Sequence, residues 1–352
     1  MYRKLVLLAV LVTLCLIPFG AWVRLTDAGL GCPDWPGCYG QLSPQHAIDE
    51  IQRAVTEQGG EHGPVSLGKA WREMAHRYVA SGLGLLLLLI AAVAIARRRS
   101  LQQSPTLPLL ILGVVVMQGL FGKWTVTLLL KPAIVTGHLI GGMTILALLT
   151  WLALRQFAEP AHRAPAGALA PSAAPPANPR GQQSAASLTL GMLLPWARVA
   201  LGLLALQIVL GGWVSTNYAA LACADLPTCQ GSFWPSMNFG DAFHVSRELG
   251  KTAVGEALPL DALTAIHWVH RLGAVVVSLA LSALIVALLA CGARRLAAAL
   301  ASALALQVAI GLGNVLYSLP LPLAVAHNAG AAVLLVVLVV LNFQAYSAAR
   351  VP

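Results

Sequence analysis

Charged residues are scarce in this 352-residue chain, and their scarcity sets its class. Only 10% of the residues are charged, whereas 58% are hydrophobic. Soluble domains carry about 25% charged and about 45–50% apolar residues. Burial in water cannot account for so much apolar sequence, so the composition excludes an ordinary soluble domain. It predicts an all-α integral membrane protein with several spans.

Acidic residues are scarcer than basic ones, with 13 Asp and Glu against 22 Lys and Arg and a net charge of +9. The basic residues form no continuous stripe and stand in short clusters between apolar runs. That pattern is typical of topology signals in membrane proteins and not of a phosphate-binding surface. Membrane lipid is therefore the expected surrounding, and no nucleic-acid partner is predicted.

Eight apolar runs are long enough to cross the about 30 Å hydrocarbon core as helices, which takes about 20 residues each. The first run follows Arg3 and Lys4 and lacks a small-residue cleavage pattern, which favours a retained helix over a signal peptide. The eight predicted spans are approximately 4–22, 74–96, 107–128, 133–155, 191–214, 262–291, 296–317 and 322–346.

The basic clusters predict the topology, because cytoplasmic loops carry the excess of Lys and Arg. Both termini are then cytoplasmic, and the long loops at about 23–73 and 215–261 face the periplasm of a bacterial inner membrane. The clusters behind this orientation are Arg3 and Lys4, Arg97–Arg99, Arg155, Arg163, Arg180, Arg294 and Arg295, and Arg350.

An Ala- and Pro-rich segment divides the chain. Residues 157–190 cannot bury enough apolar surface to fold and are interpreted as a flexible cytoplasmic linker. The linker separates a first half, 1–156, from a second half, 191–352, with four spans each.

The two halves repeat each other. Features of the first half recur in the second at an offset that changes only across loops, where insertions are tolerated. Such internal similarity predicts parallel repeats, folded as two pseudo-symmetric four-helix bundles about an axis along the membrane normal. Trp22, Cys32 and Cys38 match Trp213, Cys223 and Cys229 at 191; His76-Arg77 matches His270-Arg271 at 194; Gln118, Gly122 and His138 match Gln307, Gly311 and His327 at 189.

Four histidines lie in apolar spans and repeat between the halves: His76, His138, His270 and His327. His76 is expected about one turn into the second span. Each half thus offers two imidazoles on two helices, which suits the axial coordination of heme iron. A packing role is the ordinary interpretation of a lone histidine, but four at matched positions favour a ligand role. Zinc or copper would need more ligands than two per half.

Arginines follow two of these histidines. Arg77 and Arg271 are candidates to pair with heme propionates near the outer surface. The alternative is that they simply extend their charged ends to the membrane interface.

The outer loops each carry a cysteine pair. Cys32 and Cys38, like Cys223 and Cys229, are separated by five residues. Close spacing in an oxidising compartment favours one disulfide per loop. Capture of metal or heme by the thiols is the alternative, although no CxxCH motif is present.

The halves differ three residues before the first histidine. Glu73 precedes His76, whereas His267 precedes His270. Residues three apart share a helix face, so Glu73 is expected beside any heme bound by His76, where a carboxylate can accept protons. The first half is therefore the predicted reaction site. The alternative is that Glu73 is a boundary carboxylate paired with Arg72 or Arg77.

Several motifs together resemble the heme A synthases. They are the first outer loop at 22–36 (WVRLTDAGLGCPDWP), Glu73-x-x-His76-Arg77, the approach from Lys131-Pro132 to His138, and the second-half residues His270-Arg271 and His327. The likeness covers essentially the whole chain apart from the linker.

The resemblance implies a division of labour between the halves. His270 and His327 would hold a low-spin heme b, with the role of His267 left open, and His76 and His138 would receive heme O. Glu73 would take part in oxidising a porphyrin methyl through an alcohol to the formyl group of heme A, with oxygen from water. Heme O synthase and cytochrome oxidase assembly factors are the implied partners, and homo-oligomerisation stays open.

Two other functions stay open on the residues alone. A di-heme b-type cytochrome for electron transfer would also use four histidines, and a heme carrier would also have unlike halves. Neither requires a carboxylate at Glu73, which makes that residue the point of discrimination.

Overall fold

Eight long helices make up most of the computed structural model, which describes residues 1–58, 60, 63, 65–158 and 189–350. No β-strand forms within those ranges. Each helix is long and apolar enough to cross a membrane, so the prediction of an all-α, multi-pass membrane protein is confirmed. The helices are α1 Tyr2–Leu25, α2 Leu67–Ala96, α3 Thr106–Thr127, α4 Pro132–Ala158, α5 Leu194–Thr216, α6 Leu260–Ala290, α7 Arg294–Leu316 and α8 Leu321–Ala348.

The predicted linker lies almost wholly outside the described residues, because 159–188 are not among them. The division of the chain at 157–190 therefore stays a prediction.

The start of α2 is the one helix boundary that the apolar runs place wrongly. The helix begins at Leu67 and not at 74, so His76 is its tenth residue and lies between two and three turns inside. Ser66 is the N-cap, since its hydroxyl accepts the N–H of Lys69 at 3.2 Å. The added turns are polar and contact the first outer loop, which hydropathy alone cannot reveal. Every other predicted boundary lies within four residues of the observed one.

Within each half, the four helices contact one another in a closed ring. In the first half the contacts are α1–α2, α2–α3, α3–α4 and α4–α1, and in the second they are α5–α6, α6–α7, α7–α8 and α8–α5. The halves meet through α4–α8, α1–α8 and α4–α5. These three contacts correspond under the repeat, because α1 matches α5 and α4 matches α8. The contacts thus follow the repeat, while the symmetry axis itself stays a prediction.

Apolar side chains fill the interior and also cover the outside of the bundles. One core cluster joins the halves and includes Met143, Leu204 and Leu281. Large apolar residues such as Leu85 and Leu279, 69% and 67% exposed, cover the outer helix faces. Apolar exteriors are expected where hydrocarbon is the solvent.

Both long loops fold back over the same end of the bundles. The first contains the short helix Ile48–Glu57, whose Ile51 packs in a small core with the loop cysteines and Met74 of α2. The second contains the turn of helix Phe239–Ala242, where the Ala242 carbonyl accepts a hydrogen bond from the Trp213 indole at 2.9 Å. Both short helices lie in segments for which the sequence predicts only loops.

Candidate functional site

The structure brings the predicted histidines together in pairs. His76 on α2 lies close enough to His138 on α4 for a charge on one ring to act on the other. The same is true of His270 on α6 and His327 on α8. Each pair joins two helices of one half. Three of the four rings have a buried Nδ1 without a hydrogen-bond partner among the described residues: His76, His138 and His327.

A glycine packs against each of the four imidazoles. A Cβ added at Gly20 would lie 3.0 Å from His76 Cε1, and one at Gly122 would lie 3.4 Å from His138 Cε1. In the second half, a Cβ added at Gly211 or Gly311 would lie 3.0 Å from Cε1 of His270 or His327, respectively. A larger residue at Gly20, Gly211 or Gly311 would press on the ring, so these glycines give the imidazoles room inside closely packed bundles.

Glutamines support three of the four histidines. The Gln118 side-chain amide donates to the His138 carbonyl at 2.6 Å, and that of Gln307 donates to the His327 carbonyl at 3.1 Å. Gln207 Nε2 donates to the His270 carbonyl at 3.0 Å and lies 3.1 Å from its Nδ1. The repeat pointed to the first two but not to Gln207, because Leu16 stands at the matching position of the first half.

His76 lacks this support. Among the described residues no side chain hydrogen-bonds to it, and its ring instead meets Phe19 edge to face, with centroids 5.5 Å apart. The first half therefore has one histidine without a glutamine contact, whereas both histidines of the second half have one.

Glu73 is buried and ties the first outer loop to α2. Its side chain accepts the N–H of Cys32 at 2.9 Å through Oε2, and its Oε1 forms an ion pair with Arg77. Arg77 in turn donates from Nη1 to the carbonyls of Asp34 and Gly37 at 2.8 and 2.6 Å. The pairing with Arg77, considered above as an alternative role for Glu73, is thus present.

His267 performs the matching task in the second half. Its buried Nδ1 accepts the N–H of Cys223 at 3.2 Å. Arg271 donates to the carbonyls of Cys223, Asp225 and Thr228 at 2.5, 2.9 and 2.9 Å. Both arginines therefore bind loop carbonyls in this structure, and their pairing with propionates stays a prediction.

Each outer loop is closed at its neck by a disulfide. The structure joins Cys32 to Cys38 and Cys223 to Cys229, each across six positions, as the spacing predicts.

An aspartate braces each disulfide loop from inside. Asp34 accepts the N–H groups of Tyr39 and Gly40 at 2.6 and 2.8 Å. Asp225 accepts those of Gln230 and Gly231 at 2.7 and 3.0 Å. The Thr228 hydroxyl and these N–H groups lower the pKa of Asp225 to about 2, because they stabilise its charged form.

The donor set of each half suits a metal that arrives with most of its ligands. No group of three or more His, Cys, Asp or Glu in the described part of the chain is placed to hold a metal ion. Two imidazoles from two helices in an apolar bundle suit porphyrin iron, which needs only axial ligands. Fold and site together define a polytopic helical membrane protein with a pair of imidazoles in each half.

Comparison with known proteins makes the assignment specific. Residues 3–339 match the family model COX15-CtaA, cytochrome oxidase assembly protein, and the chain belongs to this family. It is 38% identical to a heme A synthase of Shewanella oneidensis over 341 residues, covering 94% of this chain and 92% of the relative.

Two further relatives named heme A synthase match over similar lengths. The protein of Caulobacter vibrioides is 27% identical, with 92% of this chain and 89% of the relative covered. The protein of Paracoccus denitrificans is 28% identical, with 94% and 84% covered.

Proposed function

We propose that this protein is a heme A synthase, which oxidises a methyl group of heme O through an alcohol to the formyl group of heme A. Similarity over 94% of the chain to a protein of that name carries the proposal. The two unlike imidazole pairs support it, because such a reaction needs one site for a permanent cofactor and one for a substrate that leaves. Conversion of the methyl group and one water to a formyl group releases four electrons and four protons.

The second half suits the permanent cofactor, heme b, with His270 and His327 as its axial ligands. When bound, heme b supplies one-electron redox chemistry. The protein contributes two glycines that give the rings room and two glutamines, Gln207 and Gln307, whose side-chain amides donate to the backbone carbonyls of the two histidines. Gln207 also contacts the His270 ring at Nδ1. A partner on the second ring nitrogen, as Gln207 is for His270, orients a metal-bound imidazole.

The first half suits a heme that must leave as product. His76 and His138 would bind heme O, and the single glutamine there, Gln118, contacts His138 alone. A less constrained His76 lowers the cost of releasing the porphyrin. An exchangeable substrate should have fewer supporting contacts on its ligands than a fixed cofactor, and the first half has fewer glutamine contacts to its histidines than the second.

Glu73 is the proposed proton acceptor in the first half. It lies one turn before His76 on α2 and is 5% exposed. Both carboxylate oxygens already take part in one interaction each, but a carboxylate oxygen has a second lone pair available. The anchored carboxylate is thus held in place while it receives protons released at the porphyrin edge.

The topology and partners complete the proposal. Both termini lie in the cytoplasm, and the disulfide loops face the periplasm, where cysteines oxidise. Heme O synthase would supply the substrate, and cytochrome oxidase assembly factors would receive the product.

Expression in a host that makes heme O but no heme A tests the function directly. The purified protein should carry heme A, or its alcohol precursor, together with heme b, as measured by chromatography of the extracted hemes with mass detection. Heme b alone, with heme O present in the membrane, would instead indicate a di-heme cytochrome of electron transfer.

A further inference from the structure

Arg24 lies on the face of α1 that borders the first imidazole pair. Gly20, whose backbone packs against the His76 ring, precedes Arg24 by four residues, and residues four apart share a helix face. Arg24 is therefore one turn nearer the disulfide loop than the contact with His76. At the matching position of the second half stands Ser215, so this cation belongs to the first half alone.

The guanidinium group of Arg24 is largely buried and only partly bonded. Its side chain is 11% exposed. Nη1 donates to the Tyr218 hydroxyl at 2.6 Å, and the group stacks on the Tyr218 ring at 4.1 Å from its centroid. Nε and Nη2 are buried without a hydrogen-bond partner among the described residues. Buried donors left unpaired are costly and call for a partner.

Asp27 does not supply that partner. Its carboxylate lies 3.7 Å from Arg24 Nη1, the nitrogen already bonded to Tyr218, and its side chain is 64% exposed. Asp27 instead accepts a hydrogen bond from the Tyr218 hydroxyl at 2.9 Å. Burial raises the pKa of that phenol, so Tyr218 stays protonated and holds Arg24 and Asp27 in position.

Two other arginines lie near His76 on α2. Arg77 uses both terminal nitrogens on Glu73 and the loop carbonyls. Arg72 donates its Nε to the Gly68 carbonyl and lies 5.6 Å from the Trp22 ring centroid. The two unpaired donors of Arg24, Nε and Nη2, form the side edge of the guanidinium, which matches the two oxygens of a carboxylate.

We infer that Arg24 binds a propionate carboxylate of the substrate porphyrin in the first half and so orients the ring relative to Glu73. The inference rests on the proposed function and extends it by assigning a substrate-binding residue. Both propionates lie along one edge of a porphyrin. A two-point hydrogen bond from Arg24 to one propionate restricts rotation of the porphyrin in its plane. It thereby determines which methyl group faces the Glu73 carboxylate.

A comparison of two ligands tests the inference without relying on turnover. Heme O and its dipropionate dimethyl ester are titrated by absorbance into protein isolated with heme b in the second half. The wild-type protein should bind the free acid roughly 10- to 100-fold more tightly than the ester, the range of a buried charge-assisted hydrogen bond. Arg24→Gln should remove this preference and leave the affinity for the ester unchanged.

Two further variants make the result specific. Arg247→Gln is the matched control, because Arg247 is also buried with two unpaired nitrogens. It lies against Trp213 and Asn217, which point away from the α5 face that carries Gly211. This variant should keep the preference for the acid. Arg24→Lys, which keeps the charge but not the fork, should keep only part of it.

Each outcome decides a separate point. An Arg24→Gln protein that still prefers the acid, or a wild-type protein with no preference, overturns the inference while heme A formation leaves the proposed function standing. A wild-type protein that neither binds heme O nor makes heme A refutes both. If Arg24→Gln does not fold, as shown by loss of its heme b spectrum, the wild-type ligand pair and Arg24→Lys still decide.

Discussion

The two halves of this protein anchor their outer loops by the same contacts but with different side chains. In each, the N–H of the first loop cysteine is accepted by the residue three positions before a histidine, Glu73 in one half and His267 in the other. The arginine directly after that histidine donates hydrogen bonds to carbonyls of the loop. Because the anchoring contact is the same, the exchange of imidazole for carboxylate changes the chemistry of the site while the loop stays in place.

The halves also differ in how firmly they hold their imidazoles. Gln207 and Gln307 contact both histidines of the second half, whereas Gln118 contacts only His138 in the first. These bonds reach the backbone carbonyls of the histidines, and Gln207 alone also contacts a ring at Nδ1, that of His270. A few substitutions beside the paired histidines are thus enough to make the two halves of a repeat unlike each other.

Importing the residue of the second half into the first should give the largest effect. In Glu73→His, the imidazole can still accept the Cys32 N–H, as His267 does for Cys223, but the carboxylate is gone. We expect heme A formation to fall by roughly 10²–10⁴-fold, the usual contribution of a general base, with heme b content unchanged. Quantification of extracted hemes measures both.

The control for this exchange is His267→Gln, which should leave heme A formation close to wild type. Wild-type turnover in Glu73→His would show that Glu73 only anchors the loop, and the comparison of the halves would lose its catalytic meaning.

Removal of one histidine from each half should separate the cofactor from the substrate. His327→Ala should lower the heme b content of the purified protein at least tenfold, because an axial ligand is lost. His138→Ala should retain heme b and weaken the binding of added heme O. Heme b is measured by the pyridine hemochrome spectrum. Loss of heme b from His138→Ala with retention in His327→Ala would reverse the assignment of the halves.

Removal of the disulfides should give the smallest effect and sharpen the comparison. Replacement of Cys223 and Cys229 by Ser should cost about 2 kcal/mol, as expected for so short a closed loop, and lower Tm by a few degrees with little change in turnover. The matching change at Cys32 and Cys38 should lower Tm similarly but also reduce turnover, because that loop holds Glu73 and Arg77. Thermal unfolding and heme A yield, measured side by side, would contradict this if both variants were equally active.

Local patterns in the sequence were sufficient for the spans and the repeat. Hydrophobic length follows from the thickness of the hydrocarbon core, so seven of the eight helices begin within four residues of their predicted starts. The start of α2 was missed because its first turns are polar and depend on the Ser66 cap and on the loop above them. Gln207 was missed because it has no counterpart in the other half.

The sequence by itself determined the eight spans, the two histidine pairs, the cysteine pairs and the odd position of Glu73, since each is visible as a local pattern or as a repeat. Only the tertiary structure decided what these polar groups contact. Glu73 meets a backbone N–H 41 positions away, and Arg24 meets a tyrosine 194 positions away in the other half. The loops bring such groups together in space, and buried donors and acceptors are stable there only when paired, so the folded chain assigns the partners.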